Sequence, residues 1–169
     1  MQKVAKLLNA MISEEVISDY AVFGAVAQMR YTEAVATLDA DILVAVPDME
    51  QLDVLTPLYE FCADRGYHAD GESIRVGNWP VQFIPAFDEI TRDALQEAEE
   101  GDIDGVPLRV VRADYLAAIA LSVGRAKDHA RVLALLENDA VTIQRLEQLC
   151  VEYGLSEQWS RYRERFLND

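Results

Sequence analysis

One run of six residues limits the folds open to this chain more than any other feature. The run is Asp41–Ile42–Leu43–Val44–Ala45–Val46, and Pro47 ends it. Because five consecutive residues of this run are apolar, both faces of the strand are expected to be buried, as in the centre of a sheet. The sequence therefore predicts a domain built around this strand.

The remaining pattern predicts an α+β core followed by a helical C-terminal third. Apolar residues at helical spacing predict the helices, and short apolar runs between turn residues predict the strands. We expect an α/β core over residues 1–111 and a helical region over residues 112–169 packed on it. The predicted elements are a helix over 4–16, a strand at 20–23, a helix at 25–31, the strand at 41–46, a helix over 49–65, strands at 67–70 and 81–84, a helix over 88–100, an acidic loop at 101–105, a strand at 108–111, and helices over 114–123, 127–137, 142–153 and 156–167.

Composition restricts the compartment and the partners. The chain of 169 residues has a net charge of −15, and such a protein repels a nucleic-acid backbone unless a local basic face compensates. No DNA partner is therefore expected. No apolar run reaches the roughly 18–20 residues of a membrane helix, and the first residues do not resemble a signal peptide. Cys62 and Cys150 belong to no CxxC pair, and we expect a cytoplasmic protein without a membrane partner.

Acidic residues are concentrated between Asp88 and Asp104. Eight carboxylates accompany one arginine, Arg92, in this segment. A solvated helix face and loop would explain it. The alternative is a docking surface for a basic partner protein, and the sequence leaves both interpretations open.

The aspartates Asp39 and Asp41 lie at the start of the central strand. Residues i and i+2 of an extended chain point to the same face, and so the two carboxylates are expected to project together, about 7 Å apart along the strand. Such oxygen ligands suit Mg²⁺ or Mn²⁺, which keep waters and substrate phosphates in their coordination shells. Two metal ions held in this way can clamp both sides of a phosphoryl displacement. Taken alone, the pair is also compatible with two solvated loop residues.

An upstream turn makes the aspartate pair more specific. Gly24–Ala25 follows a short strand, opens a helix and precedes Asp39 by 15 residues. Small residues at a helix start present free backbone N–H groups and a favourable dipole to an anion. A triphosphate can rest there while its oxygens bind metal at Asp39 and Asp41. The order of elements is strand, turn, helix and then the strand that bears the aspartates. This order predicts a nucleotide site more strongly than the Gly24–Ala25 turn or the aspartate pair does alone.

Two stretches, Val22–Ala27 and Thr37–Val44, resemble the core motif of the minimal nucleotidyltransferases of the polymerase-β superfamily. The resemblance is nearest to the AbiEii-type toxin group, in which a glycine and a small residue precede the pattern Thr-x-Asp-hydrophobic-Asp. The segments Tyr115–Leu121 and Gly124–Asp128 also resemble that group. The resemblance implies a nucleotidyltransferase-fold mixed sheet with flanking helices and a helical C-terminal region.

The resemblance has definite motifs over residues 20–46 and 107–137, and it covers the remainder by the order of elements. It implies transfer of a nucleotide from a nucleoside triphosphate to an acceptor, with magnesium or manganese as the cofactor. In the toxin branch the acceptor can be an RNA such as tRNA, and a protein acceptor is also compatible.

On the strand side of the site, the resemblance assigns five residues. Asp39 and Asp41 match the catalytic, metal-binding carboxylates. Gly24 and Ala25 match the phosphate-facing turn, although serine or glycine is the familiar second residue, so that Ala25 lacks a hydroxyl ligand. Thr37 matches the threonine of the motif and is assigned to nucleotide binding.

On the helical side, the resemblance assigns Arg125 and Lys127 to the triphosphate, since such cations often bind phosphate oxygens. An ion-pair cluster with Asp128 at the helix start is the alternative for these residues. Relatives usually carry a lysine where Ala120 stands and an acid where Arg131 stands. The two positions depart from the family pattern.

The most consequential departure concerns the third carboxylate, which normally lies on a later strand of the sheet. The matching position is Gln82. Glutamine brings no negative charge and cannot act as a general base, and losing the acid can cost about 10³-fold or more in rate. Three nearby acids are candidates to replace it, namely Asp70, Glu72 and Asp88.

Three functions remain open from the sequence. The first is a working nucleotidyltransferase, and the second is a catalytically inactive relative that binds a nucleotide or a protein. The third is a structural α+β domain in which the motifs occur by chance. His68 and His129 match no motif, and surface or structural roles are expected for them. Trp79–Pro80 is expected in the core or at a sheet edge, and the alternative is that it lines a nucleotide pocket by stacking.

Overall fold

The computed structural model describes residues 1–48 and 53–167, which form a seven-stranded mixed sheet with helices packed on it. The helices are α1 Gln2–Ser13, α2 Gly24–Gln28, α3 Thr56–Asp64, α4 Glu89–Gln96, α5 Ala113–Val123, α6 Ala126–Glu137, α7 Ile143–Glu152 and α8 Ser156–Phe166. The strands are β1 Asp19–Val22, β2 Ala40–Ala45, β3 Ala69–Asp70, β4 Ser73–Val76, β5 Trp79–Pro85, β6 Glu99–Ile103 and β7 Val106–Val110.

The predicted central strand, β2, occupies the middle of the sheet. The strand order is β3-β4-β5-β2-β1-β7-β6. β2 pairs antiparallel with β1 and parallel with β5, and β1 pairs parallel with β7. Ile42, Leu43 and Val44 are fully buried, which explains why this run is apolar on both faces.

The helical region is organised around α5. Every residue from Ala113 to Leu121 is buried, and α6, α7 and α8 pack against this helix. An α-helix that is apolar all round is stable only when neighbouring elements cover all its sides. The same continuous hydrophobic cluster includes residues of the sheet and of the C-terminal helices.

One predicted helix ends earlier than expected. The helix predicted over 88–100 is confirmed for Glu89–Gln96, but the predicted acidic loop is wrong, because Glu99–Ile103 forms the edge strand β6. The reason is the turn Asp104–Gly105, where both residues have positive φ angles, 51° and 79°. Such a turn matches the twist of a hairpin, and β6 accordingly pairs with β7.

Two further predictions need correction. The helix predicted over 49–65 begins at Thr56 within the described residues, after Asp53 accepts the Thr56 N–H at 3.0 Å, and positions 49–52 lie outside the described part. Residues 67–86 contain three strands, whereas the sequence predicted two. β4 was missed because the alternation in Ser73–Val76 is only four residues long.

Within residues 1–48 and 53–167, the chain has no helix with the length and apolar character that crossing a membrane requires.

Candidate active site

The predicted site residues meet at the edge of the sheet where β1 and β7 end and β2 and β5 begin. Val22 lies opposite Ile42, and the Phe23 N–H donates to the Asp41 carbonyl oxygen at 2.9 Å. Gln82 on β5 is in register with Asp41. Neighbouring strands therefore bring the turn after β1, the second aspartate and the degenerate third-acid position together.

Gly24 lies in direct contact with Asp41. Its φ angle is +61°, and a Cβ at this position would stand 3.1 Å from Cγ and 3.2 Å from Cβ of Asp41, with Oδ2 closer still. Position 24 requires glycine for two reasons: its backbone is left-handed, and Asp41 leaves no space for a Cβ atom. No side chain in the described residues caps the start of α2, so the first N–H groups of this helix have no side-chain cap.

Asp41 is half-buried, and the charged groups around it act on its pKa in opposite directions. Burial raises the pKa of Asp41, and the adjacent charge of Asp39 raises it further. The cations of Arg131, Lys127 and Arg125 act in the opposite direction. Strand residues thus concentrate negative charge at this edge, and helix α6 faces it with positive charge.

Asp39 is positioned by Thr37. The Thr37 hydroxyl donates to the Asp39 backbone carbonyl at 2.9 Å and lies 3.3 Å from Oδ1 of the same residue. A short polar side chain two residues away can fix a turn in this manner. In this structure Thr37 therefore orients the first carboxylate of the pair.

The start of α6 carries an ion-pair cluster. Arg125 donates from Nε to Oδ2 of Asp128 at 2.7 Å, and the Asp128 side chain is almost fully buried. Burial works to raise the pKa of Asp128, but hydrogen bonds and charge from Arg125, together with the charge of Arg131, outweigh it and lower the pKa. Lys127 is exposed and forms no ion pair with any described residue.

Arg131 is the site residue that sequence reasoning missed as a contributor. Its side chain is only 12% exposed, and Nη1 lies 3.5 Å from Oδ1 of Asp128. Its Nε donates to Oε1 of Gln28 at 3.1 Å, which links α6 to the buried end of α2. The only sequence signal for Arg131 was a cation in place of the acid that is usual in the family. Its contact with Gln28 joins residues 103 positions apart, and a local sequence pattern does not reveal such a contact.

Two of the three candidate replacements for the third carboxylate are engaged elsewhere, and the third lies on a hairpin turn. Asp88 accepts the Thr91 N–H at 2.9 Å as the N-cap of α4, beyond the opposite end of β5. Asp70 pairs with Arg75 at 2.8 Å on the outer hairpin. Glu72 lies in the exposed turn of that hairpin, between β3 and β4. None of these three acids takes the place of the third carboxylate, and the residue in register with Asp41 on β5 is Gln82.

The donor set fits a metal ion that keeps substrate oxygens in its shell. Among the described residues, no group of three or more His, Cys, Asp or Glu side chains could enclose a metal ion. Two carboxylates at an open sheet edge match instead the way magnesium binds together with substrate phosphates. Asp39 and Asp41 would hold such an ion.

The sheet, the helices on its faces and the helical C-terminal region together match the fold of solved nucleotidyltransferase-like structures. A nucleotidyltransferase-like antigenic protein from Paracoccidioides brasiliensis matches with a TM-score of 0.58 and 13% identity, over 94% of this chain and 91% of its own. ANT(2'')-Ia, in complex with adenylyl-2''-tobramycin, matches with a TM-score of 0.50 and 14% identity, over 98% of each chain. These similarities confirm the predicted fold class.

No protein-family model matches the chain, and no curated protein matches its sequence. The nearness to the AbiEii-type group therefore stays a prediction from the motifs.

Proposed function

We propose that this chain binds a nucleoside triphosphate at the Gly24–Asp41 edge of the sheet and transfers its nucleotide to an acceptor. The observation that supports this most is the contact of the Gly24 turn with the Asp41 carboxylate, opposite the cations of α6. A triphosphate needs N–H donors, a metal-binding carboxylate pair and cations within reach of one another.

Each residue has a distinct part in this proposal. The N–H groups at Gly24 and Ala25 bind phosphate oxygens, and Lys127 and Arg125 bind the outer phosphates. Asp39 and Asp41 would hold Mg²⁺ or Mn²⁺, and the bound ion would neutralise phosphate charge and polarise the reacting phosphorus centre. Thr37 supports nucleotide binding by keeping Asp39 in position.

Arg131 is a further residue of the proposed site, in addition to those expected from the sequence. Its guanidinium faces Asp41 while Gln28 and Asp128 fix its position. We infer that Arg131 limits the repulsion between Asp39 and Asp41 before the metal and the nucleotide bind. It would thereby keep the carboxylate pair ionised at a crowded edge.

The acceptor belongs to one of three classes. The resemblance to AbiEii-type proteins favours an RNA or a protein. ANT(2'')-Ia carries an adenylylated small molecule, which adds hydroxyl-bearing small molecules to the classes to test. Each nucleoside triphosphate is labelled at its α-phosphate and incubated with an acceptor of each class. The label should become attached to an acceptor of one class, and the Asp39→Asn variant should transfer none. Transfer that persists in Asp39→Asn would contradict the proposal.

A catalytically inactive nucleotide- or protein-binding module is the second candidate. The observation that favours it is Gln82 in register with Asp41, with no third carboxylate beside it in the described residues. Gln82→Asp would place an acid there. Transfer that appears only in Gln82→Asp would support the inactive candidate, whereas transfer by the unchanged chain would exclude it.

The acidic surface over residues 88–104 is the proposed docking site under this second candidate. Some of its carboxylates already serve the fold, since Asp88 caps α4 and Glu97 pairs with Arg112. Glu100 and Asp102 lie on the edge strand β6. The double substitution Glu100→Gln and Asp102→Asn should abolish capture of a basic partner protein. Unchanged capture would contradict the docking role.

We also propose the division of the chain at residues 111 and 112. Expression of residues 1–111 alone, compared with the full chain by amide hydrogen exchange, would test whether the α/β core folds by itself. Exchange protection of β2 in the fragment would support the division, and uniformly fast exchange would contradict it.

A further inference from the structure

A cavity lies between the turn that joins α5 to α6 and the last helix described, α8. It has a volume of about 300 Å³, the size of a small-ligand site. Its wall includes Val123, Gly124, His129, Gln158 and Phe166. We call this cavity the α8 pocket.

The α8 pocket opens away from the candidate active site. His129 and Arg131 are two residues apart on α6, which places them about 200° apart around the helix. Arg131 contacts Gln28 and Asp128 on the side of α6 that faces Asp41. His129 therefore lies on the opposite face, and a group bound in the α8 pocket would be separate from one bound at Asp41.

The charge of the α8 pocket differs from that of the molecule. The chain contains 30 acidic residues, yet no carboxylate is among the described residues that line this cavity, whereas Arg161 and Arg165 are. Four other cavities of the fold each include at least one carboxylate. Arg161 pairs with Glu157, and the structure gives Arg165 no ion pair with a described residue.

An aromatic wall completes the pocket. The ring of His129 lies 5.6 Å from that of Tyr162 and 5.4 Å from that of Phe166. Phe166 is 37% exposed, and the Arg165 guanidinium lies 5.1 Å from its ring centroid. An exposed ring beside a guanidinium that has no ion pair with any described residue is the combination that binds a base and its phosphate in single-stranded nucleic acids.

We propose that the α8 pocket binds an aromatic ring carrying a phosphate, which is the chemistry of a nucleotide. The base stacks on Phe166 and His129, Arg165 binds the phosphate, and Gln158 offers an amide to the base edge. The ligand is either a free nucleotide or the terminal nucleotide of an RNA. This site stands whether or not the Asp39–Asp41 edge transfers nucleotides.

A buried tryptophan gives the test a local reporter. Trp159 stacks on Tyr162 at 6.0 Å with an interplanar angle of 11°, and the chain has two tryptophans. Trp79→Phe therefore leaves Trp159 as the single indole signal. In this background, adenosine monophosphate and a hexa-adenylate RNA are each titrated without divalent metal while Trp159 fluorescence is followed.

Saturable quenching is expected, and Arg165→Gln and Phe166→Leu should each weaken binding about tenfold. Arg75→Gln makes the same charge change at the outer hairpin, and Asp39→Asn changes the other site; both should bind as the background does. Tight binding of the monophosphate identifies the free nucleotide as the ligand, and binding of the RNA alone identifies its terminal nucleotide. Absence of quenching, equal affinity in Arg165→Gln and Arg75→Gln, or loss of binding in Asp39→Asn would overturn the proposal.

Discussion

The two ends of the central strand β2 are both acidic, but they are built differently. At the C-terminal end, Val46 and Pro47 border a cavity of about 430 Å³ with no lysine or arginine among the described residues that line it. Its carboxylates are Glu14, Glu15, Asp48, Asp53, Glu60 and Asp64. At the N-terminal end, two aspartates face the cations of α6 and the Gly24 turn.

The difference shows that the number of carboxylates does not define a site. Asp53 at the C-terminal end accepts the N–H groups of Leu55 and Thr56, and Glu14 pairs with Arg65, so these acids serve local structure. At the N-terminal end, the carboxylate of Asp41 touches a backbone turn and faces cations held by another helix. This arrangement brings oxygen ligands of the kind that magnesium prefers close to cations of the kind that phosphate groups prefer.

The largest effect is expected from Asp128, which holds the cations of the N-terminal end. Asp128→Ala leaves the buried Arg131 guanidinium without its carboxylate, and this should lower the free energy of unfolding by about 3–5 kcal/mol. Glu14→Ala, which removes the Arg65 pair at the other end, should cost about 1 kcal/mol or less. Urea unfolding of both variants measures the comparison, and equal losses would contradict it.

The same residue gives a pH dependence. Because the folded-state pKa of Asp128 is lowered, its contribution to stability is present above the unfolded pKa of about 4 and is lost as the pH falls through the folded value. The stability difference between the unchanged chain and Asp128→Asn should therefore shrink as the pH falls below about 4. If the stability difference grew on acidification, folding would raise the pKa of Asp128 rather than lower it.

A smaller effect is expected at Gly24. Gly24→Ala forces a left-handed residue and a contact with Asp41, and it should cost about 2–3 kcal/mol. Gly66→Ala is the matched control, because Gly66 has φ +79° and nothing within 4 Å of an added Cβ; its cost should be about 1 kcal/mol. If the two variants unfold at the same urea concentration, Gly24 does not pack against the aspartate.

Arg131 should affect the titration of Asp41 without a large loss of fold. Removing the cation in Arg131→Met should raise the pKa of Asp41 further, since burial and Asp39 already raise it and Arg131 opposes them. Carbon-detected NMR titration of the Asp41 carboxyl group reports this directly. An unchanged or lowered pKa would mean that Arg131 does not face the carboxylate pair.

The smallest effect is expected at the C-terminal end of β2. Glu60→Gln removes one charge from the larger cavity and should leave nucleotide affinity within about twofold, because exposed charges beyond a Debye length are screened at physiological salt. Titration with ATP and magnesium measures it. A large loss would place the nucleotide at the wrong end of the strand.

Much of the strand side could be predicted because its signals are local. The run from Ile42 to Val46 is apolar on both faces of the strand, and Gly24 and Asp39 belong to short motifs that need no knowledge of distant residues. The four helices from Ala113 onward follow the apolar spacing of the sequence to within one residue at each end. Long segments with strong helical periodicity are where pattern reasoning is most secure.

The remainder depends on contacts distant in sequence. Glu99–Ile103 contains no apolar alternation, and it becomes a strand because β7 supplies its hydrogen-bonding partner. Arg131 looked like a departure from a family pattern, yet the fold places it beside Gln28 and opposite Asp41. Such roles arise from tertiary packing, which one-dimensional periodicity does not contain.

Calorimetric titration of each nucleoside triphosphate, with and without magnesium, tests whether the start of β2 binds a metal ion and a nucleotide. We expect metal-dependent binding by the unchanged chain and a loss of about 100-fold or more in Asp39→Asn, since removing one of two metal carboxylates removes a charged ligand. Circular dichroism would confirm that the variant is folded. Equal binding by both proteins, or no binding of any triphosphate by the folded chain, would contradict a metal and nucleotide site at the start of β2.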